Sequence, residues 1–418
     1  MNIFAEAMKK VNSIIVDFLR KYWFIFALAL VVILAVVARI PLYSKKSGDF
    51  NSFLQPWYQQ CYENPKAFLA SEEADYTPTY MYFLVFISWF RVKPDSVAYL
   101  YTLKTISVIF EFGTAFLIFW MCKFIFKKPN WLVLLSVFLA LFIPQIILNG
   151  SFWGQCDSIF TFFIVLTLFL YYKKQPIWAA VAFGVSFAFK LQSIFFLPVL
   201  FLLWLNKKYR FWYLLLIPVV YILLMIPAMI CGRSFVSCLT VYGTQAGEYV
   251  YLSLNAPTIY AFVYPSMVTN SSVEKELVPA ATVIGLAAIT IMCVFIFLTH
   301  KDIQNEEIIK IAYMLALFAP FMLPKMHDRY FYLAEVLAVL YLFINPRKWY
   351  IPALAVAGSF SGYNVYLFNT YYLGDRNINL MIGAAMILAA IILLSYDMFK
   401  DKKPTFKPEE LEEKNNTI

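Results

Sequence analysis

The chain is 418 residues long, 62% hydrophobic and 14% charged, with a mean hydropathy of +0.70. A soluble domain carries about 25% charged residues. This composition therefore excludes an ordinary globular protein and, with repeated apolar runs of about 20 residues, implies an all-α polytopic membrane protein. The net charge of +9 does not imply a nucleic-acid partner, because Lys and Arg fall in short clusters between apolar runs, as in loops held on the cytoplasmic side. The six cysteines (Cys61, Cys122, Cys156, Cys231, Cys238, Cys293) form no CxxC pair, so neither a metal site nor a disulfide framework is indicated.

Residues 1–21 read as a short amphipathic helix at the cytoplasmic interface, with no cleavable signal, and 23–42 as the first span, running outward. Arg39, near its outer end, is expected to snorkel or to face an external cavity. The segment 47–81 then interrupts the membrane pattern with carboxylates (Asp49, Glu63, Glu72, Glu73, Asp75), aromatics and two prolines. Residues 79–90 are apolar but too short to cross, and read as a helix at the outer interface. The span 98–126 goes inward and carries Lys104 and Glu111, about two turns apart on one face, which predicts an intramembrane pair.

Further runs follow at 131–148, 158–172, 177–189, 193–205, 212–230, 278–299, 308–323, 331–344, 350–367 and 379–398. Residues 253–264 read as a re-entrant helix within the long link between 230 and 278. Basic clusters occupy alternate turns, which gives about twelve spans with both termini cytoplasmic. Residues 1–400 form one transmembrane domain, with 43–97 as its first external loop. The polar tail 401–418 is expected to be disordered.

This topology gathers the chemically varied segments on the external face: residues 49–80, 153–157, 190–192, 325–329 and the turn at Asp375 and Arg376. Asp49, beside Gly48, is a candidate general base, able to take a proton from an acceptor hydroxyl as it attacks a sugar carbon. A single base suffices where the leaving group is already a phosphate, whereas a plain glycoside needs a second carboxyl group as acid. The competing reading makes Asp49 a helix N-cap. Lys325, His327, Asp328 and Arg329 form a cationic turn suited to a phosphate, as does Lys190; the alternatives are a solvated turn and a snorkelling lysine. Gln192 lies beside Lys190 in the same link. Gln155 and Asp157 either cap the following span or contact sugar hydroxyls. No P-loop, HExxH or GxSxG motif is present.

SGDFNSF at 47–53 and DYTPTYMYFL at 75–84 resemble the first external loop of the GT-C superfamily of membrane glycosyltransferases. The resemblance is to the dolichyl-phosphate-glucose glucosyltransferases and to the first mannosyltransferase of glycosylphosphatidylinositol synthesis. It extends to His327-Asp328, to WGQCDS at 153–158 and to FKLQSIFFLP at 189–198, in chain order. It implies a GT-C-like bundle with interfacial helices in the first loop, and an inverting hexose transfer with Asp49 as base. It also implies Asp75 and Tyr76 as part of the substrate-binding loop. The donor would be a polyprenyl-phosphate sugar and the acceptor a lipid-linked or cell-envelope glycan, with no further cofactor. The site would be external or lumenal, in the plasma membrane of a bacterium or the endoplasmic reticulum of a eukaryote. Where the mannosyltransferase pattern has two acidic residues spaced by one, this chain has Ser47 and Asp49, so no metal pair is expected. The rival functions are a transporter or flippase of a lipid-linked sugar, and an envelope-polymer ligase or polymerase.

Overall fold

The computed structural model describes residues 2–94, 96–248, 250–263, 266, 271–300, 302–400 and 402. Apolar runs with few internal breakers fold as helices, because buried backbone groups must satisfy one another within the segment. In chain order these are α1 (Asn2–Arg39), α2 (Gln55–Glu63), α3 (Pro65–Ala70), α4 (Pro78–Trp89), α5 (Val97–Trp120), α6 (Asn130–Phe142), α7 (Pro144–Ile147), α8 (Asp157–Tyr172) and α9 (Pro176–Phe189). They continue as α10 (Leu197–Leu205), α11 (Phe211–Cys231), α12 (Phe235–Glu248), α13 (Ser271–Thr299), α14 (Asn305–Met322), α15 (Tyr332–Ile344), α16 (Tyr350–Tyr363) and α17 (Arg376–Phe399). The protein is thus an all-α membrane protein. Its one sheet among the described residues pairs Ser253–Leu254 (β1) with Met326–His327 (β2) in parallel.

Among the described residues, five helical segments are long and apolar enough to cross a bilayer: Asn12–Leu42, Val97–Ile125, Phe211–Cys231, Lys275–Thr299 and Arg376–Phe399. A sixth forms if Asn130–Phe142 and Pro144–Trp153, bent by 48°, count as one span. The expected count of about twelve is not reached on length and composition. The apolar helices Asp157–Tyr172, Pro176–Phe189 and Leu191–Leu205 each fall short of the roughly 20 residues that a bilayer core needs. Every residue of α15 is buried, as is most of α14, so this hairpin is the centre around which the longer helices pack.

Four expectations are corrected. Residues 2–39 form one helix and not an interfacial helix plus a span, since neither Gly nor Pro interrupts them before Pro41. Arg39 neither snorkels nor faces a cavity. It is 1% exposed, and its Nε and a terminal nitrogen donate to Glu111 Oε2 at 2.9 and 2.7 Å. Glu111 therefore pairs with α1 and not with Lys104, because a guanidinium offers the carboxylate two parallel donors that an ammonium on its own helix cannot. Residues 253–263 are not a re-entrant helix but strand β1 followed by the single 3-10 turn Ile259–Phe262; residue 264 lies outside the described set, as does the tail from 401, save Lys402.

Candidate active site

Asp49 is held by the first turn after α1. The Ser47 hydroxyl accepts from the Phe50 amide at 3.1 Å and donates to the Trp153 carbonyl at 2.9 Å. Ser47 therefore does the capping, and the Asp49 carboxylate makes no cap hydrogen bond, so the N-cap reading of Asp49 fails. The carboxylate instead turns across the molecule. Its Oδ2 accepts from Trp153 Nε1 at 3.0 Å, Gln155 Nε2 at 2.9 Å and a terminal nitrogen of Arg329 at 3.2 Å. Its Oδ1 accepts from the Tyr366 hydroxyl. Gly48 leaves room for that contact: a Cβ there would stand 3.3 Å from the Tyr366 oxygen.

Two of the donors, Trp153 and Gln155, come from a second irregular segment. Residues Leu148–Trp153 form a π-helix that ends at Gly154 with φ +82°, a left-handed conformation. A Cβ on Gly154 would meet the Phe50 ring at 2.9 Å. Gly154→Ala is accordingly expected to destabilise the protein by about 1–3 kcal/mol, and to push Phe50, and Asp49 with it, out of place. Thermal melting of the purified variant measures the first effect; an unchanged midpoint contradicts it.

Two further π-helices, Phe50–Leu54 and Asn364–Phe368, carry the residue after Asp49 and Tyr366 itself. Three of these rare elements thus meet at one carboxylate, a pattern that recurs at functional sites. Trp153 stacks on Tyr366 with ring centroids 4.6 Å apart, and the Arg329 guanidinium sits 5.2 Å from the indole centroid.

The cationic turn is pinned by β2 to β1, and Gly362 of α16 makes room for it: a Cβ there would meet the Asn255 carbonyl at 2.6 Å and Asp328 Cβ at 2.9 Å. Arg329 faces three carboxylates, with Asp157 Oδ2 and Asp328 Oδ1 both at 3.9 Å beyond its bond to Asp49. Burial drives the Asp328 carboxyl well above the usual range, and Arg329 opposes that shift. Burial, then Arg329 and Lys190, hold His327 well below the usual histidine range. It is therefore a neutral imidazole with one N–H to donate.

These groups border a cavity of about 500 Å³. Asp49, Asp75, Tyr76, Gln155, Gln192, Lys325, His327 and Arg329 all line it, of the residues expected from sequence. Its other walls are mainly apolar, with Ile194, Phe195, Leu286 and Leu323 prominent and Gln245 and Thr282 among the polar exceptions. Asp75 has no hydrogen-bond or ion-pair partner among the described residues, and burial raises its carboxyl above the usual range. Gln192 is 4% exposed, and its Oε1 has no hydrogen-bond partner among them. Tyr76 donates to Gln155 Oε1 at 3.2 Å, which links the 75–76 loop to Asp49.

Three expected residues stand behind the wall. Lys190 does not line the cavity, because its ammonium is engaged by Asp157 Oδ1 in a pair 2% and 1% exposed. Asp157 also accepts from Asn149 at 2.8 Å, and Asp328 accepts from its neighbour's amide at 2.9 Å. Lys190 was expected to contact a phosphate directly, but its ammonium faces Asp157 and not the cavity. Lys325 lies at the cavity but donates to the Ala246 carbonyl at 2.7 Å. Asp375 belongs elsewhere, capping α17 through the amides of Asn377 and Ile378. Among the described residues no set of three His, Cys, Asp or Glu side chains is placed to hold a metal ion.

Trp153 and Tyr366 were not singled out from sequence. Trp153 had a signal, as it opens the polar link before Asp157. Tyr366 had none, as it ends an apolar run with no charged neighbour. No protein-family model matches this chain, and no curated protein matches it in sequence.

Proposed function

We propose that this chain is an inverting membrane glycosyltransferase of GT-C type. It moves one hexose from a polyprenyl-phosphate donor to a hydroxyl of a lipid-linked or cell-envelope glycan on the external or lumenal side. The observation that carries this reading is the cavity itself. A carboxylate and a guanidinium stand 3.2 Å apart at its polar end, and its remaining walls are mainly apolar. That combination suits an amphiphile with an anionic head and an isoprenoid tail. Asp75 and Gln192 add two unpaired acceptors, the complement of sugar hydroxyls. About twelve crossings, counting the short interior helices in tilted or paired spans, would complete a GT-C-like bundle.

The hydrogen bonding on Asp49 assigns the proton. Oδ2 is saturated by three donors, whereas Oδ1 has only Tyr366 and keeps a lone pair. The acceptor O–H gives its proton to Oδ1 as its oxygen attacks the anomeric carbon. The bond from that carbon to the phosphate oxygen breaks, and the electron pair leaves with polyprenyl phosphate. Attack opposite to the leaving group inverts the centre. Arg329 and neutral His327 donate to the phosphate, with Lys325 at the rim. The leaving group is a stable anion, so no general acid is required.

The test gives purified protein in nanodiscs a polyprenyl-phosphate [¹⁴C]mannose or [¹⁴C]glucose with an extract of lipid-linked acceptors. Label in a glycosidic product with the opposite anomeric configuration is expected. Label moved across a proteoliposome membrane without a new covalent bond would identify a flippase. Transfer only from diphosphate-linked oligosaccharides would identify a ligase or polymerase.

A further inference from the structure

Lys104 lies on α5, inside the protein, with no exposed surface. Its ammonium has three donors and uses all of them on backbone carbonyls: Leu42 at 3.2 Å, Lys45, and Phe152 at 2.9 Å. The first two belong to the segment that ends in the Asp49 turn. The third belongs to the π-helix that presents Trp153. No ion pair neutralises Lys104 among the described residues, and Glu111, its neighbour on α5, is engaged by Arg39.

A buried charge without a counter-ion is expensive unless its hydrogen bonds are made. Charge-assisted bonds to carbonyls are stronger than bonds between neutral groups. The two segments thus reach their lowest energy only when both close on the same ammonium. Lys104 also fills the space beneath them: its Nζ is 6.0 Å from the Phe50 ring centroid, and a Cβ on Gly154 would lie 3.8 Å from its Cε. Phe50 follows Asp49 in sequence, and Gly154 separates Trp153 from Gln155, two of the four residues whose side chains hold Asp49.

We propose that Lys104 is the positioning residue of this site: by clamping the carbonyls of Leu42, Lys45 and Phe152 it sets the Asp49 carboxylate against Trp153 and Gln155. It touches no substrate, since it does not border the cavity. The kinetic part of its test rests on the transferase reading; the structural part does not. The variant is Lys104→Met, which keeps the length and removes the donors, made in the full-length protein.

For Lys104→Met, kcat per folded molecule is expected to fall about tenfold to a hundredfold, because small displacements of a catalytic group cost that much. The donor KM is expected to stay within about threefold, since the cavity wall is intact. On an Asp49→Asn background the same substitution is expected to cause no further loss. Hydrogen exchange in residues 47–54 and 148–155 is expected to quicken by about tenfold or more, while α14 and α15 keep their protection.

A kcat within about twofold of the parent, or a further loss on the Asp49→Asn background, overturns the proposal. If the parent transfers no sugar, the transferase reading falls and exchange alone decides: unchanged protection in both segments overturns the role of Lys104, and selective deprotection supports it. Should Lys104→Met not accumulate as folded protein, Lys104→Gln, which keeps one donor group, is measured against the same outcomes.

Discussion

Asp49→Asn is expected to lower sugar transfer by about a hundredfold to ten-thousandfold, the contribution of a positioned general base, while leaving the protein folded. The amide has the shape of the carboxylate. Its oxygen can take the place of Oδ2 and accept from Trp153 and Gln155, whose donors now stand at 3.0 and 2.9 Å. Its NH2 then faces the Tyr366 oxygen, which can accept. Arg329 loses one partner but keeps Asp157 and Asp328, each at 3.9 Å. What disappears is the Oδ1 lone pair that receives the acceptor's proton. Initial rates, with size-exclusion profiles and melting curves on the same sample, separate lost chemistry from lost folding. A variant within about tenfold of the parent rate removes Asp49 from the role of base.

The largest expected effect on stability is at Lys190. Its pair with Asp157 is almost wholly buried, so Lys190→Met leaves a carboxylate without its closest cation. Breaking such a pair from one side costs about 3–5 kcal/mol. Arg329, 3.9 Å from Asp157 Oδ2, places the expected loss toward the lower end. Adding Asp157→Asn to Lys190→Met removes the stranded charge and keeps an acceptor for Asn149. The double variant is therefore expected to recover most of the lost stability, although the single one does not. Melting curves of the two variants in one detergent measure this. Equal losses in both would show that Lys190 contributes through packing and not through charge.

The all-α class was legible because apolar run length alone decides it. The gathering of polar groups was legible because the alternation of basic clusters sorts the links into two sets, with Asp49 and the turn at Arg329 both in the less basic one. Their contact was not legible: 280 residues separate them, and the π-helices that surround the Asp49 carboxylate have registers that no periodicity announces. The pairing of Glu111 was misjudged because spacing on one helix reveals only local partners, whereas Arg39 arrives from α1 with a better geometry. Lys104 was thereby hidden, since its acceptors are backbone carbonyls, and those carry no residue signature. The span count was not legible, because a short apolar helix reads alike whether it crosses the bilayer or fills the interior between crossing helices.

The most direct measurement is an experimental structure of the full-length protein bound to a polyprenyl phosphate. The phosphate is predicted to lie against Arg329 and His327 in the chamber that holds Asp49, with the isoprenoid chain along Ile194, Phe195 and Leu286. A lipid phosphate bound elsewhere, leaving that chamber without ligand and Asp49 facing no substrate, would contradict the assignment of this cavity as the donor site.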